Sequence, residues 1–285
     1  MAFSKMSIVI LVILLILLIV IIYSSYYYYN KYYKFYRSVY YNERYISSNK
    51  LKYLKTGKTD KTSHMINPLF QTYYNKEKIP KDVYENIKKY APEYNHIIMD
   101  DNDIILLLNT YYNDNVVDTF NSLKNGAHKA DLARYCILYI YGGLYMDIKV
   151  ELIKPLSEIF NKGEDVFYSV ESNHSDHIHQ GILKSPPNNN LFLSLIDYIV
   201  NKNNPYDYID FCRDLYIQIK NDVSDIKNGL NIGKSGHKYY LFKEKCSSND
   251  KSMCYDGFDR YGFCCFIWDG GKPIIKSRRS SYPWK

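Results

Sequence analysis

Asp131, Arg134 and Asp147 are three charged residues whose types and spacing could bring two carboxylates and a guanidinium together. Asp131 and Arg134 stand three apart, so on a helix they project to the same side and could pair as ions. Such a pair can be purely structural. Asp147 changes the reading, because Gly142-Gly143 breaks the helix and sends the following segment back alongside it, where all three groups could converge. A carboxylate beside a diphosphate needs an intervening cation, since two anions repel. An oxygen ligand of this kind suits Mg²⁺ or Mn²⁺ bridging to phosphate oxygens, and the cation would neutralise the diphosphate as it leaves. Arg134 could add a fork of donors to the phosphates or to a sugar hydroxyl, and Asp131 could accept hydrogen bonds from sugar hydroxyls.

The elements that must position these residues follow from local pattern. His64 to Tyr74 reads as a short strand with Pro68 at its edge, and Ile79-Pro80-Lys81-Asp82 opens a helix whose Val83, Ile87 and Tyr90 share a face. Tyr94 to Met99 reads as a second strand, and Asp100-Asp101-Asn102-Asp103 caps a helix running through Leu108. Asn115 to Lys124 makes another helix, expected to stop at Asn125-Gly126. Leu132, Cys136, Tyr139 and Ile140 then form a helical stripe. After the glycine pair, Leu144, Met146, Ile148 and Val150 alternate as the buried face of a strand, with Tyr145, Asp147, Lys149 and Glu151 opposite. Strands alternating with helices predict an α/β sandwich around a central, mostly parallel sheet, with ligands near the carboxyl ends of its strands.

At these positions the chain resembles the DXD-containing sugar transferases of glycosyltransferase family 32, which includes yeast-type α-mannosyltransferases and is related to the large clostridial glucosylating toxins. The likeness is carried by Ala130-Asp131-Leu132-Ala133-Arg134-Tyr135, Tyr141-Gly142-Gly143 and Tyr145-Met146-Asp147-Ile148-Lys149. It extends through Phe70-Gln71-Thr72-Tyr73, Ile79-Pro80, the Pro92-Glu93-Tyr94 region and Gln180-Gly181-Ile182 with Ser185-Pro186-Pro187.

The resemblance implies a GT-A-type fold and a retaining transfer of a hexose from a UDP- or GDP-sugar to a hydroxyl on a glycan, lipid or protein. In such transfers the leaving phosphate assists the incoming hydroxyl on the same face. The resemblance also implies that Asp131 and Arg134 bind the donor sugar and that Asp147 binds the metal diphosphate. Tyr73 stands where a base-stacking tryptophan is usual, Gln180 and Tyr145 lie near the donor, and the terminal Ser281 and Trp284 contact the diphosphate. Lys149 is the departure, since it occupies the place of the second aspartate of the DXD pair; this weakens the expected Mn²⁺ or Mg²⁺ site while offering a cation of its own. The alternative reading is an inactive, membrane-tethered protein that binds a sugar nucleotide or glycan on the same fold.

Residues 1–5 form a short flank, and the uninterrupted apolar run from Ile8 to Ile22 makes 6–23 a transmembrane anchor near the lower limit of length. Residues 24–62, lysine-rich and without periodicity, read as a stem, leaving 63–285 as the transferase domain. Lys5 on one side of the anchor and Lys31, Lys34 and Arg37 on the other leave orientation open, with a mild preference for a cytoplasmic domain over a Golgi-type luminal one. The net charge of +7 comes without any nucleic-acid module, so nucleic acid is not an expected partner. Of the six cysteines, Cys246 and Cys254 could close a loop, Cys136 reads as a buried thiol, and no CxxC spacing offers a zinc site. Asn173-His174-Ser175 is the one N-glycosylation sequon, relevant to a luminal domain. His174, His177 and His179 read as solvated loop histidines.

Overall fold

The computed structural model describes residues 65–202, 209–250 and 262–277, together with 18, 20–26, 53–55, 207 and 254. The chain divides into two compact units, Met1–Ser47 and Ser48–Lys285. In the first, residues 20–26 are helical and their apolar side chains are exposed. Most of the expected anchor lies outside the described residues, and among those described no helix is long and apolar enough to cross a membrane.

The second unit is a mixed α/β domain. Strand β1, Pro68–Thr72, is buried along nearly its whole length, as a central strand must be. It is joined through helix α1, Lys81–Tyr90, to the parallel strand β2, Asn95–Met99. Asp100 then caps helix α2, Asp101–Tyr111, accepting from the Asn102 and Asp103 amides while the Asp103 side chain accepts from the Asp100 amide. Helix α3, Asp114–Ser122, is capped by Asn113. The Asn125-Gly126 pair does not stop α3 as expected, since that helix already ends at Ser122 with Leu123 as its C-cap. Asn125 accepts from the Ala127 amide and starts helix α4, Gly126–Tyr141. Every residue of α4 from Asp131 to Ile140 is buried, so this helix lies inside the domain.

Strand β3, Gly143–Met146, returns parallel to β1. It stops sooner than the alternation of Leu144, Met146, Ile148 and Val150 suggests. Asp147 makes one further pairing, donating its amide to the Gly181 carbonyl at 2.8 Å, and a turn closed by the Val150 amide on the Asp147 carbonyl follows at 2.9 Å. Lys149 therefore sits on a turn beyond the strand.

The remaining elements are β4 (Glu151–Leu152), α5 (Leu156–Ile159), β5 (Val166–Glu171), β6 (Ile178–Ser185), α6 (Asn190–Val200), α7 (Asp210–Asp222), β7 (Gly229–Ile232), β8 (Lys238–Ser247), β9 (Cys264–Asp269) and β10 (Lys272–Lys276). The sheet runs β2-β1-β3-β6-β5-β8-β9-β10-β4, with β7 also on β8. Only β1 with β2, β1 with β3, and β5 with β8 pair in parallel; every other neighbour is antiparallel. The expectation of a mostly parallel sheet thus holds for the first three strands and fails beyond them. Short connections such as the Gly270-Gly271 turn between β9 and β10 can return a strand only in the antiparallel sense.

Successive strand residues feed two cores. Phe70, Tyr145, Phe167, Leu183 and Tyr239 pack on the face covered by α2, α3, α4, α6 and α7; Leu69, Leu144, Tyr168, Ile182 and Tyr240 pack on the other. Residues 53–55, inside the stretch expected as stem, belong to this domain: Tyr53 is fully buried against Asp197, and the Lys55 amide bonds the Tyr111 carbonyl at 2.9 Å. Two disulfides tie β8 to β9 and its preceding loop, Cys246–Cys265 and Cys254–Cys264, in place of the expected Cys246–Cys254 loop. Cys246 and Cys265 are cross-strand neighbours, which brings their sulfurs together. Cys136 is a buried free thiol, as read from its helix.

Candidate active site

The Gly142-Gly143 turn places α4 beside β3. Both glycines have positive φ, and a side chain on either would collide with Pro187 or Pro68 at under 3 Å, so the reversal depends on the absence of Cβ. Arg134 becomes the hub: its Nη1 lies 2.9 Å from Asp131 Oδ1 and its Nη2 lies 3.2 Å from Asp147 Oδ1. Nη1 also donates to the Gln180 carbonyl at 2.9 Å, and the guanidinium lies over the Tyr145 ring, 4.7 Å from its centroid. The Tyr145 hydroxyl donates to Asp147 Oδ1 at 3.3 Å and meets Thr72 Oγ1 at 2.8 Å. Asp131, Arg134, Tyr145 and Gln180 are 7, 4, 1 and 2 % exposed.

The two carboxylates are held differently. Burial pushes Asp131 up to about 7 against the attraction of Arg134. Burial would also raise Asp147, but Arg134, Lys149, His179 and the Tyr145 hydroxyl together hold it below its ordinary value. Arg134 itself stays protonated; burial opposes its charge, and Tyr145, Asp131 and Asp147 outweigh that.

Some buried polar atoms lack protein partners among the described residues: Arg134 Nε and both the nitrogen and the oxygen of the Gln180 side-chain amide. A buried amide with neither end bonded is costly, and the main chain of the same residue accepts from Arg134. Of the other expected site residues, Tyr73 lies at the end of β1 against Tyr74 and packs on the small cluster of Ile79, Val83 and Ile148. Ser281 and Trp284 lie outside the described residues.

Four contributors escaped the sequence reading. Gln71 donates to the Asp147 carbonyl at 3.4 Å and accepts from His96 Nε2 at 2.8 Å; burial pushes His96 down to about 4, so the ring is neutral. Thr72 supports Tyr145. His179, expected as a solvated loop histidine, lies on β6. Its Cε1 and Asp147 Oδ2 both come within 3 Å of the point where a Cβ on Gly181 would stand. Glu244 of β8 stands 3.7 Å from His179 Nε2 and accepts from Ser172 Oγ and the Asn173 amide at 3.2 Å and from Ser277 Oγ at 3.0 Å. The period-two spacing of His177 and His179 before Gln180 was the available signal for β6; nothing local announces Glu244.

A divalent metal fits this donor set poorly. Asp147 Oδ1 is taken by Arg134 and Tyr145, and Lys149 Nζ lies 4.0 Å from Oδ2. A dication there would meet two full positive charges at about 4 Å, a repulsion of several kcal/mol even in a screened site. Among the described residues the one cluster with metal-ligand spacing is Glu244, Cys246 and Cys265, and its two sulfurs are joined as a disulfide.

The acid-arginine-acid hub is carried by the helix-glycine-strand unit, and that unit falls within a stretch that matches a known family. Residues 78–166 match the family described as glycosyltransferase sugar-binding region containing DXD motif, and the chain carries that region. The matched stretch holds Asp131, Arg134, Tyr145, Asp147 and Lys149, and leaves Tyr73 and Gln180 outside it. Inositol phosphoceramide mannosyltransferase 1 of Schizosaccharomyces pombe is 29 % identical over 121 residues, 40 % of this chain and 36 % of that protein. An uncharacterized glycosyltransferase of Acanthamoeba polyphaga mimivirus is 26 % identical over 181 residues, 62 % of this chain and 65 % of its own. The match therefore spans about a third of the first relative and just under two thirds of the second. Among solved structures, the PaToxG glycosyltransferase aligns with a TM-score of 0.38 and 12 % identity, over 66 % of this chain and 77 % of that one.

Proposed function

We propose that this chain is a retaining hexosyltransferase of GT-A type, moving a sugar from a nucleotide diphosphate to a hydroxyl acceptor. The observation that carries the reading is the buried hub itself: Arg134 between two carboxylates, with its Nε unpaired and with Gln180, whose side-chain amide is also unpaired, bonded to it through the main-chain carbonyl. Such groups gain most from a ligand rich in hydroxyls and negative charge. Asp131, close to neutral, can both donate to and accept from a sugar hydroxyl. Arg134 fixes the sugar and its phosphate, and Asp147 holds Arg134 and Lys149 in place.

In the reaction the bond from the anomeric carbon to the β-phosphate oxygen breaks, and its electron pair leaves with the diphosphate. The acceptor oxygen bonds the anomeric carbon on the same face, and its proton passes to the departing phosphate. The chain contributes position and positive charge. The relative named a mannosyltransferase supports mannose as the first sugar to try. An anchor at 6–23 would favour a membrane-proximal glycan, lipid or protein as acceptor.

The test is transfer from a panel of UDP- and GDP-hexoses by the full-length chain in detergent, with product configuration read by NMR. Turnover that falls by about 100-fold or more in Asp147→Ala supports the reading. Donor binding without turnover on any acceptor class would instead establish a sugar-nucleotide-binding protein.

A further inference from the structure

We propose that Lys149 takes the place of a divalent metal, so that the donor diphosphate is bound and released without one. This rests on the transferase reading above. The argument begins with charge. With an aspartate at 149, the site would hold three carboxylates and one arginine, and a divalent ion would bring it to neutrality. With Lys149, and both carboxylates counted as ionised, Arg134 and Lys149 balance Asp131 and Asp147 with no ion, and a proton on Asp131 adds one positive charge and suits a dication still less. Replacing an aspartate by a lysine changes the local charge by the amount a divalent metal supplies.

Geometry agrees with the count. The turn closed by the Val150 amide on the Asp147 carbonyl sets Lys149 just past the strand, and Ile148 packs with Ile79 and Val83 to seat that turn. Lys149 Nζ lies 4.0 Å from Asp147 Oδ2, too far for a tight pair, and its side chain remains 31 % exposed. The ammonium is thus held near Asp147 yet keeps its donors available for a phosphate. Asp147, already engaged by Arg134 and Tyr145 through Oδ1, serves as an anchor for cations of the protein.

The experiment is calorimetric binding of UDP and of GDP to the full-length chain in detergent, once in EDTA and once with Mn²⁺. Wild type should bind one of them in EDTA as tightly as with Mn²⁺. Lys149→Ala should weaken binding in EDTA by about tenfold or more, the loss of one charge-assisted contact, with unchanged melting. Lys149→Asp should bind only when Mn²⁺ is added. Wild-type binding that requires Mn²⁺, or a Lys149→Ala chain that binds normally in EDTA, overturns the inference and leaves the transferase reading standing. Failure to bind either nucleotide under both conditions overturns both.

A second inference rests on different residues. The cysteines divide sharply: four on and beside β8 and β9 are joined in two disulfides, while Cys136 and Cys212 lie apart as free thiols. Paired cysteines of this kind belong to oxidising compartments. Such compartments in eukaryotic cells also glycosylate Asn-X-Ser, and Asn173-His174-Ser175 lies exposed on the loop between β5 and β6. We infer that the domain matures on the luminal side of a secretory membrane and that Asn173 carries an N-glycan. Full-length chain made in eukaryotic cells should shift in mobility on treatment with an N-glycosidase, and Asn173→Gln should abolish the shift. Under denaturation without reductant, alkylation should reach two of the six cysteines. No glycosidase shift, or alkylation of all six, overturns the assignment.

Discussion

Arg134 serves two carboxylates that share it unequally. Burial is the largest influence on both, but Arg134, Lys149, His179 and Tyr145 hold Asp147 ionised, while at Asp131 burial and the nearby Asp147 charge outweigh Arg134 and Lys149 and push it up to about 7. Its ordinary value is about 3.9, so the folded state takes up a proton there that the unfolded chain releases. The stability cost of ionising Asp131 is therefore absent below about pH 4, grows as pH rises to about 7, and is constant above. Asp131→Asn removes this dependence. The stability of the variant relative to wild type should improve by up to ~1.4 kcal/mol per pH unit across that window. Urea unfolding of both proteins at pH 5 and pH 7 reads it directly, and parallel changes would show that Asp131 is not the titrating group. Glu244 poses a separate residue-scale question, because it stands 3.7 Å from His179 Nε2 while also holding Ser172, Asn173 and Ser277. Glu244→Gln keeps the shape but withdraws the charge behind the ring, so we expect weaker turnover by about tenfold with donor affinity little changed. Equal losses in donor affinity and turnover would mean a general loosening of β6.

At the scale of elements, Gly181 is where β6 meets the site. A Cβ there would stand 2.6 Å from His179 Cε1 and 2.9 Å from Asp147 Oδ2, so Gly181→Ala must displace the carboxylate that anchors Arg134. Its expected cost is about 1–3 kcal/mol of stability, with a far larger fractional loss of transfer. Gly126, the first residue of α4, is the control: a Cβ there meets nothing within 4 Å, and Ala should raise stability by roughly 0.5–1 kcal/mol without touching activity. Melting and transfer measured on both variants separate steric damage at the site from any general effect of added methyls. These elements also show what local sequence conveys. The Asp100 cap, the α4 stripe and the glycine reversal were legible because each is written in consecutive residues. The end of β3 was not, since Ile148 and Val150 keep the strand period while the chain has already turned. Asn125-Gly126 misled for a related reason: the pair suits a helix stop as well as a start. Asp131, Arg134 and Asp147 could be found because one short unit carries them. Gln71, His179 and Glu244 arrive through pairing of strands distant in sequence, and no spacing rule connects them.

The whole domain joins two halves of different construction. The strands β2, β1 and β3, with α4 beside them, carry the acid-arginine hub and hold together by strand pairing, ion pairs and burial, without a disulfide. The antiparallel half around β8, β9 and β10 carries Glu244, ends the sheet, and is cross-linked twice. The disulfides span 19 and 10 residues, and in the chain-entropy account each contributes about 3 kcal/mol by restricting the unfolded state. Reduction should therefore act unevenly. Under dithiothreitol the amides of β8, β9 and β10 should lose protection in hydrogen exchange, and Glu244 should lose its hold on the Ser172–Asn173 loop. Amides of β1, β3 and α4 should keep most of theirs, since neither disulfide involves a residue of these elements. If the proposed reading holds, nucleoside diphosphate binding through Arg134 and Lys149 should then outlast turnover, because reduction would release Glu244 and with it the His179 ring beside Asp147. If instead both halves lose protection together and binding vanishes with turnover, the domain is a single cooperative unit and the cross-links support the hub as much as the sheet edge.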